Sequence, residues 1–211
     1  MSGAREPGCS TSALSDALDA PDLRGAVVEG LQPVVPAAGC VVGRARTATV
    51  VSTGEPGIPG IADLLDGIVP GDVLVLAWRA DAVRASTFGG LAAAHTVHRG
   101  GLGLVSEGWV RDVDELRASG LPVWARGVTP RSGKGRLAIT AIGEPAEVGG
   151  VTVVAGDTVV LDATGICVVA AADAAEALRR ARHLDGLDRD FRAAVAGGAS
   201  FGRAAATTGA V

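Results

Sequence analysis

Twenty residues separate Gly90 from an Arg111-Asp112 pair, and Glu115 follows that pair with two residues between. Gly89 and Gly90 precede a run of helix formers, Leu91-Ala92-Ala93-Ala94-His95. Glycines allow a tight turn, and the first N–H groups of the helix that follows point outward with the positive end of its dipole behind them, so an anion can sit there. Arginine adds a planar fork of donors, charged at every working pH, that matches a carboxylate or an enolate oxygen. Asp112 and Glu115 are hard oxygen ligands able to hold Mg²⁺ or Mn²⁺, directly or through waters. Together these are the parts of a site for a small anionic substrate beside a divalent metal, in which the enolate formed when a bond next to a carbonyl breaks would be stabilised. Taken singly, Gly-Gly ahead of a helix is a common turn, and Arg-Asp after a strand is often a solvated ion pair worth about 0–1 kcal/mol. The conjunction at this spacing is what carries the signal.

The elements that must position these residues alternate along the chain. Ser10 or Thr11 caps a first helix through Ala20, stopped by Pro21. Val41 to Ser52 alternates in the manner of a half-buried strand, Gly54 to Gly60 is a Pro-containing loop, and Ile61 to Leu65 starts a short helix. The turn Pro70-Gly71-Asp72 introduces a buried strand from Val73 to Leu76. Leu91 to Arg99 is helix, Gly103 to Ser106 strand, Val113 to Ser119 helix and Pro122 to Ala125 strand. Strand–helix–strand order with short connections predicts a parallel layer covered by helices, and the strand-and-turn stretch from Leu137 to Val169 predicts a second, more antiparallel layer. From Asp173 the chain turns helical, with a break at Gly186, a second piece from Arg189 to Val195, and a frayed tail over 204–211. The whole chain, 1–211, is expected to form one domain, with residues 1–9 and 204–211 flexible.

The quoted residues resemble the RraA-like family, which includes the 4-hydroxy-4-methyl-2-oxoglutarate/4-carboxy-4-hydroxy-2-oxoadipate aldolases and the regulator of ribonuclease activity A. The resemblance rests on Phe88-Gly89-Gly90-Leu91-Ala92, on Gly103-Leu104-Val105-Ser106-Glu107-Gly108-Trp109-Val110-Arg111-Asp112, and on Leu121-Pro122-Val123-Trp124-Ala125-Arg126-Gly127 with Pro130. Leu14-Ser15-Asp16-Ala17-Leu18 and the two last strand regions, Val154 to Val160 and Asp162 to Val169, extend it over nearly the whole chain. It implies an α/β/β swivelling-domain sandwich with mixed sheets and helices at both termini, assembled as a homotrimer or hexamer in which the C-terminal helix reaches a neighbouring subunit. It also implies that Arg111 grips the carboxylate or keto oxygen of a pyruvate-like group, that Asp112 is the metal ligand with Glu115 at the metal's outer shell, and that the amides around Gly89, Gly90, Leu91 and Ala92 cradle the anion.

Three departures stand out against that resemblance. Aldolase members carry an acid at the position of Gly90, Glu107 replaces a frequent aspartate, and Ala77-Trp78-Arg79-Ala80 stands where a glycine-rich stretch is expected. Trp78 and Arg79 would narrow and charge a region that is open in typical members, which points to a different substrate. Decarboxylation of oxaloacetate demands less of the missing acid than full aldol cleavage does.

Composition narrows the class. A chain of 211 residues with 48% hydrophobic content can bury a substantial core. A net charge of −4 and a pI near 5.4 leave no basic face, and the arginines from Arg126 to Arg136 are too dispersed for a nucleic-acid groove. No apolar run is long enough for a bilayer and the first residues lack a signal-peptide core, so a cytoplasmic location is expected. Cys9, Cys40 and Cys167 are odd in number and far apart in sequence, suggesting neither a disulfide framework nor a zinc knuckle. His95 and His98 stand at metal-ligand spacing, but no third ligand follows in pattern, which favours packed or solvent-facing imidazoles.

Two function classes follow. One is a metal-dependent carbon–carbon lyase acting on a 2-oxo acid with a pyruvate-like end, by aldol cleavage or oxaloacetate-type decarboxylation. The alternative is a non-catalytic regulator or interaction protein that keeps the fold. A specialised enzyme whose Trp78-Arg79 loop accepts a different anion is a weaker third.

Overall fold

Residues 9–210 are described here from a computed structural model of the chain. The central strands are β3 (Val41–Ser52), β4 (Asp72–Trp78), β6 (Gly103–Val110) and β7 (Val123–Val128), parallel to one another in that order. On β4 the side chains divide by a period of two: Leu74 and Leu76 enter one core while Val73, Val75 and Ala77 enter another. Both faces are therefore covered, as an uninterrupted apolar strand requires.

The helices α2 (Ile61–Asp66), α3 (Gly90–His98) and α4 (Val113–Ser119) cover the first face, burying Leu64, Ala93 and Leu116 against Leu74, Leu76 and Leu104. The second face meets antiparallel strands. The hairpin β9 (Ala146–Val148) and β10 (Val151–Val153) packs there with β11 (Thr158–Leu161) and β12 (Ile166–Val169), whose inward residues are Val159, Leu161, Ile166 and Val168. Their outward residues, Val160, Cys167 and Val169, meet α1 (Thr11–Leu18) and α5 (Ala174–Ala196). The long β3 links the layers: residues 41–44 pair with β11, residues 44–50 with β4, and residues 49–52 with β8 (Leu137–Thr140). The result is the expected α/β/β arrangement with a mixed sheet and helices at both ends.

Several local expectations change. The N-terminal helix begins at Thr11, is capped by Ser10, whose Oγ accepts from Ala13 N, and ends at Leu18 rather than Ala20. Two short edge strands, β1 (Gly25–Val27) on β12 and β2 (Gln32–Val35) on β7, had no alternation to announce them. Helix α5 runs unbroken through Gly186, and the tail expected to fray forms α6 (Phe201–Thr208), with Ala204 buried. Cys9 is buried although it belonged to the segment expected to be loose, whose other residues, 1–8, lie outside the described ones, as does Val211. The three cysteines, far apart in sequence, meet in one core beneath α1 and α5 as free thiols. Burial pushes the Cys40 and Cys167 thiols up to about 12 and raises that of Cys9. Among the described residues no helix is long and apolar enough to cross a membrane.

Candidate functional site

The twenty-residue spacing is the length of one return of the chain. Strand β5 (Ser86–Phe88) leads into α3, and β6 comes back parallel to β5, with Ser86 opposite Trp109 and Phe88 opposite Val110. The end of β6 therefore lies beside the end of β5, and Arg111 N donates to Phe88 O at 3.1 Å. That stitch sets Arg111-Asp112 against Gly89-Gly90.

Asp112 holds an unusual backbone. Its φ of 55° and ψ of 49° are left-handed, one of two such non-glycine residues described, and it caps α4 without a side-chain bond to that helix. Such a conformation costs about 1–2 kcal/mol for a residue with a Cβ, and strain of this kind gathers at functional sites. The freed carboxylate turns toward α3 instead: Oδ2 accepts from Gly90 N at 3.3 Å and lies 3.3 Å from Arg111 Nε. Both side chains are about a third exposed, at 35% and 34%. No ion pair or hydrogen bond among the described residues engages the Nη atoms of Arg111.

A cavity of about 100 Å³ opens beside this pair, lined among others by Thr87, Leu91, Ala92, Arg111, Asp112 and Lys134. At about 30 Å³ of liquid volume per water it takes a fragment of a few heavy atoms, the size of a pyruvyl end. The first backbone bond within α3 runs from Ala93 N to Gly89 O, which leaves the Leu91 and Ala92 amides at its positive end for a ligand. Thr87 is 5% exposed and its Oγ1 has no hydrogen-bond partner. A buried hydroxyl left unpaired costs about 1–3 kcal/mol, so an acceptor entering the cavity has a donor waiting.

Of the residues singled out in the sequence, Gly89, Leu91, Ala92, Arg111 and Asp112 come together around this cavity, while Gly90 and Glu115 sit behind it. A Cβ on Gly90 would lie 1.6 Å from Glu115 Oε2 and 2.7 Å from Glu115 Cβ, so the Glu115 side chain fills the space that a larger residue at position 90 would need. Sequence reasoning missed Thr87, Ser86, Ser132 and Lys134. The loop after β7 is bound along β5, with Ser86 N donating to Arg131 O and Gly133 N to Ser86 O, and this carries Lys134 to the cavity. One signal was available: Lys134 is the single lysine among 19 basic residues.

The profile of the RraA-like family, described as Aldolase/RraA, matches residues 11–168. The chain belongs to the RraA-like family. A Halalkalibacterium halodurans protein, whose name proposes it as a 4-hydroxy-4-methyl-2-oxoglutarate aldolase, is 31% identical to this RraA-like chain over 67% of it and 65% of the relative. Other curated relatives are spanned over about half, 51%, and about a quarter, 26%, of their own length. Among solved structures, an uncharacterised Pseudomonas syringae protein superposes with a TM-score of 0.80 at 28% identity, covering 93% of this chain and 92% of that one. Streptomyces coelicolor RraAS2, titled an unusual member of the RNase ES inhibitor RraA family, does so with a TM-score of 0.76 at 27% identity, over 87% and 92% of the two chains. The names of these RraA-like relatives thus span an aldolase and an inhibitor of an RNase.

The donor set of this RraA-like site sets what cation it could take. No group of three or more His, Cys, Asp or Glu able to hold a metal occurs among the described residues, so an all-protein cage is excluded for them. Mg²⁺ and Mn²⁺ do not need one: Mg²⁺ keeps several waters and is held by one or two carboxylates plus substrate oxygens. The partly exposed Asp112 carboxylate, facing a cavity and held off its own helix, fits that requirement. The two histidines take no part, since His95 Nε2 faces Asp66 Oδ1 at 3.2 Å and His98 is exposed.

Proposed function

We propose that this protein is a divalent-cation-dependent carbon–carbon lyase acting on a small 2-oxo acid with a pyruvate-like end, by oxaloacetate-type decarboxylation or aldol cleavage through an enolate. One observation carries this reading. The open Arg111 fork, the Leu91 and Ala92 amides and the unpartnered Thr87 hydroxyl converge on one cavity of pyruvyl size.

In this reading the substrate carboxylate accepts from the Leu91 and Ala92 amides, and Thr87 Oγ1 donates to a neighbouring oxygen. Arg111 donates to the keto oxygen, where negative charge grows as the bond between the carbon next to the keto group and the departing group breaks: its electron pair passes into the enolate while CO2 leaves in decarboxylation, or a second carbonyl compound leaves in aldol cleavage with its hydroxyl proton passing to water. Lys134 at the rim adds a second positive charge, suited to a dianionic acid. Asp112 would hold the cation, Mg²⁺ or Mn²⁺, and Glu115, behind Gly90, would be the outer-shell carboxylate. When bound, the cation supplies Lewis-acid polarisation of the keto oxygen. Protonation of the enolate carbon then falls to water, because position 90 carries no acid.

Oxaloacetate with Mg²⁺ or Mn²⁺ is expected to release pyruvate above the metal-only background, and Arg111→Ala to lower kcat/KM by roughly 30- to 1000-fold, about 2–4 kcal/mol of transition-state stabilisation. A coupled pyruvate assay with and without chelator measures this. Equal rates for wild type and Arg111→Ala sink the lyase reading.

A second reading, a non-catalytic regulator that keeps the fold, is supported by the likeness to the Streptomyces coelicolor protein and by the apolar side chain of Leu91, 86% exposed at the cavity mouth. An exposed leucine there also suits a neighbouring subunit of a homotrimer or hexamer.

A further inference from the structure

A second cavity, of about 340 Å³, opens at the C-terminal ends of the parallel strands and shares no lining residue with the Arg111 cavity, with Trp78, Arg79, Glu107, Trp109 and Arg126 among its walls. Crevices at this end of a parallel sheet are where α/β proteins hold ligands, and the volume falls within the range of small-molecule clefts.

Its walls are built rather than incidental. The two indole rings stand edge to face with centroids 5.7 Å apart. Trp78 is fixed from two sides: Nε1 donates to Ala82 O at 3.2 Å, and its ring lies on the backbone of Gly108, where any Cβ would come within 1.9 Å. The Arg84 guanidinium sits over the Trp109 ring, 5.3 Å from its centroid. Glu107 is the one carboxylate among the walls, and its Oε1 already accepts from Arg126 Nη2 at 3.0 Å and from Gly149 N at 3.1 Å. The Arg79 side chain is 60% exposed and, among the described residues, pairs with Asp81 at 3.4 Å. Beyond these two pairs, no acceptor among the described residues engages the remaining guanidinium donors of Arg79 and Arg126 or the Trp109 Nε1–H, while the two indoles with Ala80 and Ala82 form the apolar part of the cavity.

Excess donors and positive charge beside aromatic faces select a ligand that carries acceptor oxygens on a flat apolar body. We propose that this cavity is a binding site for an aromatic carboxylate, whose ring packs against Trp78 and Trp109 while its carboxylate accepts from Arg126 and Arg79. The site is independent of the Arg111 cavity, so it stands whether or not the protein is a lyase.

Benzoate is the probe, titrated into the full-length protein by calorimetry and by quenching of tryptophan fluorescence. Saturable binding with a Kd below about 1 mM is expected. Arg126→Gln, Arg79→Gln and Trp109→Leu should each weaken it about tenfold or more, Arg111→Ala should leave it unchanged, and excess oxalate should not displace it. Benzyl alcohol, which lacks the charge, and cyclohexanecarboxylate, whose ring is saturated and has no flat π face, should bind at least about tenfold more weakly. Arg79→Gln changes only an exposed side chain, so its effect is readable even if the tryptophan variant folds poorly. The assignment is overturned by absence of saturation up to about 10 mM, by variants at Arg79 and Arg126 that bind like the wild type, or by loss of binding on Arg111→Ala or oxalate addition.

Discussion

Asp112 shows how a single residue trades stability for position. A left-handed backbone is uncomfortable for aspartate but natural for glycine, which gives up part of that advantage through its freer unfolded chain. Asp112→Gly should therefore leave stability unchanged or raise it by up to about 1 kcal/mol, while abolishing any cation-dependent activity. Asp112→Asn keeps a side chain that tolerates the left-handed region and can still accept from Gly90 N, so it should fold normally and, if the proposed cation site is right, lose cation binding alone. Thermal melts paired with Mn²⁺ titration separate the two effects, and a large drop in melting temperature for Asp112→Gly would count against stored strain. Gly89 and Gly90 belong to the same scale. Their φ and ψ are not what demands glycine, since Gly89 is extended at φ −151°; the demand comes from Asp112 Oδ2 and Glu115, which lie where side chains would be.

At the scale of elements, the β5–α3–β6 return is the unit that makes the site, because a parallel strand pair joined through a short helix brings two strand ends together whatever the rest of the chain does. Helix α5 illustrates the opposite case, an element held together by its surroundings. Gly186 within it costs about 1 kcal/mol relative to alanine, yet the helix continues, with Asp185 next to it accepting from Ser10 N and Ser10 Oγ, both at 2.8 Å. A Cβ at position 186 would meet only Arg189 Nη2, at an ordinary 3.7 Å. Gly186→Ala is accordingly expected to stabilise by about 0.5–1 kcal/mol, raising the melting temperature by about 1–4 °C. Calorimetry would detect the shift, and a fall would mean that the helix needs flexibility there.

At the scale of the molecule, carboxylates tie α1 to the end of β11 and brace the first turns of α5. Asp162 accepts from Thr11 N at 2.9 Å, Thr11 Oγ1 at 2.8 Å, Thr164 N at 2.7 Å and Gly165 N at 3.2 Å. Burial alone would raise its carboxyl, but these donors outweigh it and hold the group below the usual carboxylate range. Arg179, and then Arg180, hold Glu176 down to about 2. Both groups are lower in the folded than in the unfolded state, so the stability they lend is complete above the unfolded values, near 3.8 and 4.5, and is lost as pH falls through the folded ones. Melting followed by circular dichroism should decline from about pH 4.5 toward pH 2, and Asp162→Asn should flatten that decline while lowering stability at neutral pH. An unchanged acid limb in the variant would remove Asp162 from this role.

The sequence alone determined whatever depends on neighbours along the chain. The alternation from Val41 to Ser52 is β3 to the residue, Val113 to Ser119 is α4, and the Gly90-to-Arg111 spacing announced that these segments meet, because one strand–helix–strand return encodes it locally. Only the tertiary structure decided the rest: Lys134 and the unpartnered Thr87 in the cavity, Trp78 against Trp109 with Arg126 beside them, three distant cysteines in one core, edge strands β1 and β2, and α5 unbroken at Gly186. Those features have no local periodicity, because each exists through contacts between segments tens of residues apart, whose free energy appears only when the layers close and exclude water from between them.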